Sequence, residues 1–343
     1  MSYPNAAVSF PGLFGDWRFT LSPKLLDIGN GIYWYGVLIA AGLLIALWFC
    51  MKRAPRYGLT EDDVIDTVLW AIPFAIVGAR VYYVVFYLDQ FRTADGGIDW
   101  AETCRIWDGG LAVYGGILAA FLTAYLVCRR KKIGFWALTD CCVAGIFIGQ
   151  AIGRWGNFFN REAFGAMTDA PWRMRLWLSE SYFIDVHPTF LYESLWNIAG
   201  LLLLCLVVDK ARRFDGENTC FYFLWYGAGR FWIEGLRTDS LYLFNATLFG
   251  ERVRVSQALS LVMIVLTVAI LPKNRSADPA GMFVNRRLAE QVTVLPDLSG
   301  ERPIADSPTA GACAEGEASA QAEAAECGAA DGTKATADGT DAP

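Results

Sequence analysis

The sequence predicts an all-α polytopic membrane protein of about seven transmembrane helices, with the N-terminus outside, the C-terminus cytoplasmic and a disordered acidic C-terminal tail. Composition is the first observation behind this reading. Of 343 residues, 55% are hydrophobic and only 19% are charged, against about 25% charged in an ordinary soluble domain. Segmentation is the second: apolar stretches at roughly 32–50, 64–88, 111–128, 136–154, 187–208, 219–236 and 255–271 each approach the ~20 residues needed to cross hydrocarbon. The third is charge asymmetry. Segments one, three, five and seven are followed by fourteen Lys or Arg, including Lys52, Arg53, the run Arg129–Lys132, Arg212 and Arg287. The opposite side carries nine arginines at or between segment ends, plus Arg18 and Lys24. Lysine and arginine excess marks the cytoplasmic face.

Taken in order, residues 1–31 form an extracytoplasmic segment, 32–272 the seven-helix membrane domain, and 273–343 a cytoplasmic, largely disordered tail. The first segment contains Pro4, Asp16, Arg18 and Asp27, so it has no apolar core of the cleavable-signal type. Between 301 and 343 there are nine Asp or Glu against Arg302 and Lys334, a net of −7, which leaves +1 for the first 300 residues of a chain whose total is −6. No aromatic residue follows Phe283. Such a stretch has too little apolar surface to offset the entropy of ordering.

Several chemistries are disfavoured. The nine cysteines are scattered, without a C-x-x-C pair, and read as small packing residues. With His187 the only histidine, His-cluster metal sites are excluded. The seventh segment offers no lysine for a retinal Schiff base. No metal, cofactor or nucleic-acid partner is expected.

Two polar stripes interrupt the apolar pattern. In GRWGNFFNREAFG (153–165), the spacing of Gln150, Arg154, Asn157 and Arg161 places them along one helical face beside Gly145, Gly149 and Gly153. In YGAGRFWIEGLR (226–237), Tyr226, Arg230, Glu234 and Arg237 share a face. One carboxylate against two guanidiniums leaves a positive charge, and guanidinium forks suit phosphate oxygens. Polar groups at such depth are costly and mark function; a purely structural seam or internal ion pair is the bland alternative. Further clusters predicted at the same end are YWYG (33–36), GARVYYV (78–84) with Arg80, WDGGLAVYGG (107–116) with Asp108 and Tyr114, and HPTFLYE (187–193) with His187, Tyr192 and Glu193.

The 153–165 stretch matches G-R-x-G-N-F-x-N-x-E-x-x-G and so resembles the signature of the prolipoprotein diacylglyceryl transferases of bacterial plasma membranes; the other motifs follow in the family's order, over about residues 20–272. The resemblance implies a multi-pass enzyme of the bacterial cell membrane. It would transfer the diacylglyceryl group of phosphatidylglycerol to the lipobox cysteine of a prelipoprotein signal peptide, forming a thioether and releasing glycerol-1-phosphate. Phosphatidylglycerol, prelipoproteins and membrane lipids are the implied partners. Carried over residue by residue, Arg154 and Asn157 bind the headgroup, Arg230 stabilises the leaving phosphate, Tyr226 orients it and Glu234 holds the guanidinium. Glu162, Arg237, Gly165, Tyr35 and Arg80 match further positions the family uses.

The chain departs from the family pattern at Tyr114, where histidine is frequent and has been proposed as general base, and at Phe190, where glutamine is common. A phenol is a weaker base than an imidazole at neutral pH. Proton removal therefore falls to Tyr114, to a carboxylate such as Glu162, or to no dedicated base. The rival reading is a seven-helix lipid or anion transporter using the same arginines. Asp66 and Asp140, near the opposite ends of their segments, are the residues that would extend its path.

Overall fold

The computed structural model describes residues 2–294 apart from 16, 28–30, 94–96, 108, 239–241, 249–250 and 277. Asp108 and the stretch from 295 onward, including the predicted acidic tail, lie outside the described residues.

In chain order the elements are β1 (Ala7–Ser9), α1 (Pro11–Phe14), β2 (Arg18–Phe19), β3 (Lys24–Leu26), β4 (Ile32–Tyr33), α2 (Trp34–Arg53), α3 (Glu61–Phe86), α4 (Trp100–Cys104), α5 (Val113–Lys131), α6 (Phe135–Asn160), β5 (Met174–Trp177), β6 (Phe183–Val186), α7 (Thr189–Leu203), α8 (Glu217–Leu236), β7 (Tyr242–Leu248), β8 (Glu251–Arg254), α9 (Val255–Arg275) and α10 (Phe283–Val294). Each of the seven apolar segments is a helix. Among the described residues, six of these helices are long and apolar enough to cross a membrane. The exception to the predicted seven is α8, a 20-residue helix whose Asn218, Arg230 and Glu234 dilute its apolar run. Of these, Arg230 and Glu234 belong to the site below.

Local chemistry sets the helix boundaries. Thr60 and Asp63 form a reciprocal capping box at the start of α3, with bonds of 3.1 and 3.0 Å, and Glu61, Asp62 and Asp63 complement the positive helix end. The cap of α8 comes from another helix. Asp140 of α6, fully buried, accepts from the Gly216 N–H at 2.8 Å, the Thr219 N–H at 2.9 Å and the Thr219 hydroxyl at 2.8 Å, and Arg212 lies 3.5 Å away.

Helix α6 is the central element, packing on α2, α7 and α8, while α3 packs on α5 and α8 on α9. Small residues allow these approaches. Gly145 faces Cys50 and Ala46 of α2, and Gly42 returns the contact against Ile152. Gly78 and Gly115 bring α3 and α5 so close that an added Cβ at either would lie 2.3 Å from the neighbouring helix. Gly78→Leu is accordingly expected to force this pair apart and lower stability by about 1–3 kcal/mol, seen as an earlier melting transition in detergent. Helices α7 and α8 are clasped by Trp196 and Trp225, stacked with centroids 4.5 Å apart, each indole N–H donating to the other's carbonyl at 2.9 and 2.8 Å.

Beside the end of α6 that carries the 153–165 motif stands an antiparallel sheet in the order β2-β1-β5-β6. It packs Val8, Met174, Leu176 and Val186 against Phe164 and Phe190. Arg175 of β5 bonds Asp185 of β6 at 2.7 and 2.8 Å, and Arg173 adds a third bond at 3.0 Å. Arg175 first, and Arg173 with it, hold the Asp185 carboxyl below its ordinary range. This stabilisation is present above the ordinary carboxylate pKa and is lost as pH falls through the depressed one. At the opposite end, which carries most of the lysines and arginines, the chain read as tail begins with structure. Helix α9 continues to Arg275, and α10 folds back to seat Phe283 against Gly58 and Gly134. Residues 273–294 of the stretch read as tail thus include the end of α9 and helix α10, which Phe283 docks against two turn glycines.

Candidate functional site

The two stripes named from sequence meet, and a third helix joins them. Arg154 of α6, Arg230 of α8 and Arg237, just past the end of α8, all turn toward Glu193 of α7. The Arg154 Nε is ion paired with Glu193 Oε2; Arg230 Nη1 lies 3.0 Å and Arg237 Nη1 3.8 Å from Glu193 Oε1. Arg230 is gripped a second time by Glu234, at 2.7 Å one helical turn on. The two carboxylates are nearly sealed from solvent, with side chains 7% and 3% exposed, while Arg154 retains 24%. Three guanidiniums thus converge on the single carboxylate of Glu193. Buried charges of one sign demand partners, and the arginine whose side chain stays partly open suits an incoming anion.

Around this core, Asn157 accepts from Arg154 at 3.5 Å and donates to Glu162 at 3.0 Å, and Asn160 donates to the same Glu162 oxygen at 3.1 Å. Because α6 extends to Asn160, beyond the predicted end at 154, Arg154 and Asn157 project from consecutive turns of one helix. Tyr226 is within electrostatic reach of Arg154, Arg230, Glu193 and Tyr114, and its ring stacks on Tyr222, centroids 5.5 Å apart. Glu193, Asn197, Tyr226, Gly229 and Arg230 line a common recess.

Other predicted residues take different positions. Tyr35 lies flat on Gly156, where a Cβ would come within 2.5 Å of its ring. Gly165 lets the chain pass against the end of α8: its N–H donates to His187, it bridges to Arg237, and a Cβ there would meet His187 at 2.7 Å. Arg80 does not join the cluster. Its guanidinium donates to the carbonyls of Glu102, Thr103, Gly109 and Gly110 at 2.7–3.0 Å, which fixes the glycine-rich loop leading into α5 and Tyr114. Arg161 also leaves the predicted stripe. It caps α6 in the left-handed conformation, φ 46°, and its buried guanidinium donates to the carbonyls of Pro4, Phe159 and Leu21. Desolvation lowers its pKa from the usual guanidinium range, and its work is to tie the N-terminal segment to the motif. The His187 ring nitrogen Nδ1 lies 3.1 Å from the Tyr192 hydroxyl.

Sequence reasoning gave Glu193 no role. The signal lay in charge balance: three arginines were assigned to one region with a single carboxylate on the same helix face, and Glu193 occupies the first turn and a half of α7, level with them.

The geometry coincides with a sequence likeness. Residues 23–272 match the model of the prolipoprotein diacylglyceryl transferases. The chain is 42% identical over 259 residues to the phosphatidylglycerol–prolipoprotein diacylglyceryl transferase of Listeria welshimeri, covering 73% of this chain and 89% of that protein. It is 40% identical over 268 residues to the protein of that name from Lactiplantibacillus plantarum, covering 76% and 91%. The counterpart from Geobacillus kaustophilus is 42% identical over 246 residues, covering 70% and 87%. With the match spanning the whole helical bundle and its arginine site, this multi-pass, membrane-embedded chain belongs to the prolipoprotein diacylglyceryl transferase family.

Proposed function

We propose that the chain transfers the diacylglyceryl group of phosphatidylglycerol to the lipobox cysteine thiol of prelipoproteins, at the outer face of a bacterial plasma membrane. The convergence of Arg154, Arg230 and Arg237 on Glu193 is the observation that carries this reading beyond family membership. The outer placement follows from the lysine and arginine excess at the other end.

The reaction forms a bond between the cysteine sulfur and the glyceryl carbon that carries the phosphate ester. That carbon–oxygen bond breaks, its electron pair goes to the phosphate oxygen, and glycerol-1-phosphate leaves. Preorganised cations in a water-poor site stabilise the charge that develops on the leaving oxygen. Arg230, fixed by Glu193 and Glu234, is aimed to meet that charge. Arg154 and Asn157 hold the headgroup, and Tyr226 borders the recess. Gly165 positions Arg237, and Arg80 positions the loop before Tyr114. A thiol attacks as thiolate, so its proton must leave, to Tyr114, to Glu162 or to no dedicated base. Tyr114→Phe is expected to retain transfer within about tenfold, the scale of a lost orienting hydrogen bond. Loss to background, rescued by Tyr114→His, would instead make the phenol the base.

The transporter reading finds no support at the far end. Asp66 is taken up by Lys131 at 2.6 Å, and Asp140 caps α8. The decisive experiment is mass spectrometry of a lipobox peptide incubated with the purified protein and phosphatidylglycerol. A gain of one diacylglyceryl unit with release of glycerol phosphate is expected; an unmodified peptide under conditions that support the Listeria welshimeri protein overturns the assignment.

A further inference from the structure

We propose that the end of the bundle opposite the arginine site holds a binding site for an anionic phospholipid headgroup, built by the turn between α5 and α6 and by helix α10. A recess of about 640 Å³ opens there, walled by Lys131, Lys132, Phe283, Arg286 and Arg287, a size suited to a small-molecule ligand. The walls are held in place. Phe283 sits against Gly134, where a Cβ would come within 2.9 Å of its ring, and its N–H donates to Asp215 at 2.7 Å. Arg287 donates to the Gly58 carbonyl at 3.1 Å, so α10 spans three turns of the chain and cannot collapse onto the recess.

The charge in the recess is unbalanced. Lys131 is neutralised by Asp63 and Asp66, at 2.8 and 2.6 Å. Among the described residues, Lys132, Arg286 and Arg287 have no carboxylate within ion-pair distance, and neither do Arg129 and Arg130 just above them. Cations gathered at a helix end attract an anion of several oxygens, and a phosphodiester is the membrane's own supply.

The surroundings favour a lipid over a soluble anion. Leu118, Leu122, Tyr125 and Arg129 fall on one face of α5, and the first three are exposed. That face is an apolar track of acyl-chain character ending in a cation. Trp136, also exposed, is the second residue of α6, where an aromatic side chain marks the membrane interface. About twenty residues of α6 separate this end from Arg154, roughly 30 Å of helix. A lipid bound here lies in the leaflet opposite the donor site and is not the transferred substrate.

The test uses the full-length protein in phosphatidylcholine bilayers doped with phosphatidylserine, with bound lipid counted by native mass spectrometry. Lys132→Gln combined with Arg286→Gln removes two exposed cations that, among the described residues, have no carboxylate partner. It is expected to weaken phosphatidylserine retention about tenfold or more while leaving the melting transition in lipid-free detergent unchanged. In the wild type, retention should also fall steeply with salt. Equal retention by wild type and variant overturns the proposal, as does salt-independent retention. Displacement of the lipid by millimolar inorganic phosphate would likewise overturn it, by making the recess a site for a soluble anion. None of these readouts depends on transfer activity.

Discussion

Arg230→Ala is expected to reduce diacylglyceryl transfer by at least about 10²–10³-fold, the loss that follows removal of one preorganised stabiliser of transition-state charge. The expectation rests on what Arg230 touches. It bonds Glu193 at 3.0 Å and Glu234 at 2.7 Å, so its removal takes one cation from the cluster and leaves Glu234 without that partner beside an anionic donor. Arg154→Ala should match it, because Arg154 shares Glu193 and also orders Asn157. Arg237, 3.8 Å from Glu193, should cost less. Single-turnover assays with a lipobox peptide and phosphatidylglycerol separate these ranks. Normal thioether formation in either of the first two variants would refute the phosphate clamp.

The second large effect is on stability. Asp140→Ala deletes a fully buried carboxylate that caps α8 from α6 and faces Arg212. Removing one member of such a buried network costs about 3–5 kcal/mol, because the remaining charge and N–H donors are left without partners. The transition in detergent should shift down sharply. Asp140→Asn, which keeps acceptor oxygen but loses charge, should recover part of the difference. An unchanged melting curve for the alanine variant would show that water replaces the carboxylate.

Much of the fold was legible in the sequence because hydrocarbon imposes one demand on every crossing segment, and each of the seven apolar runs became a helix. The end of α6 was only half legible: the apolar run stops at 154 while the polar spacing runs on as a helical face, and the helix continues to Asn160, where Glu162 bonds the amides of Asn157 and Asn160. The sheet escaped notice for a different reason. Strands of two to four residues, such as Arg18–Phe19, carry too few side chains to display alternation, and the pairing of β1 with β5 joins residues over 150 positions apart. Helix α10 was hidden by composition, since only Phe283 and two distant glycines announce its docking. In the site, sequence spacing located the arginines along two helices. The residue that unites them, Glu193, lies on a third, and no spacing rule connects helices α6, α7 and α8.

Glu193 has a consequence for turnover. It engages three guanidiniums, so on the proposed reading a phosphate that binds them competes with a resident counter-ion. Binding is then an anion exchange, and the observed affinity is a difference between two attractions. The same competition runs in reverse once the thioether has formed. A dianionic product held by three arginines alone would leave slowly, whereas a tethered carboxylate, always at hand and never diluted, reclaims the arginines and helps expel it.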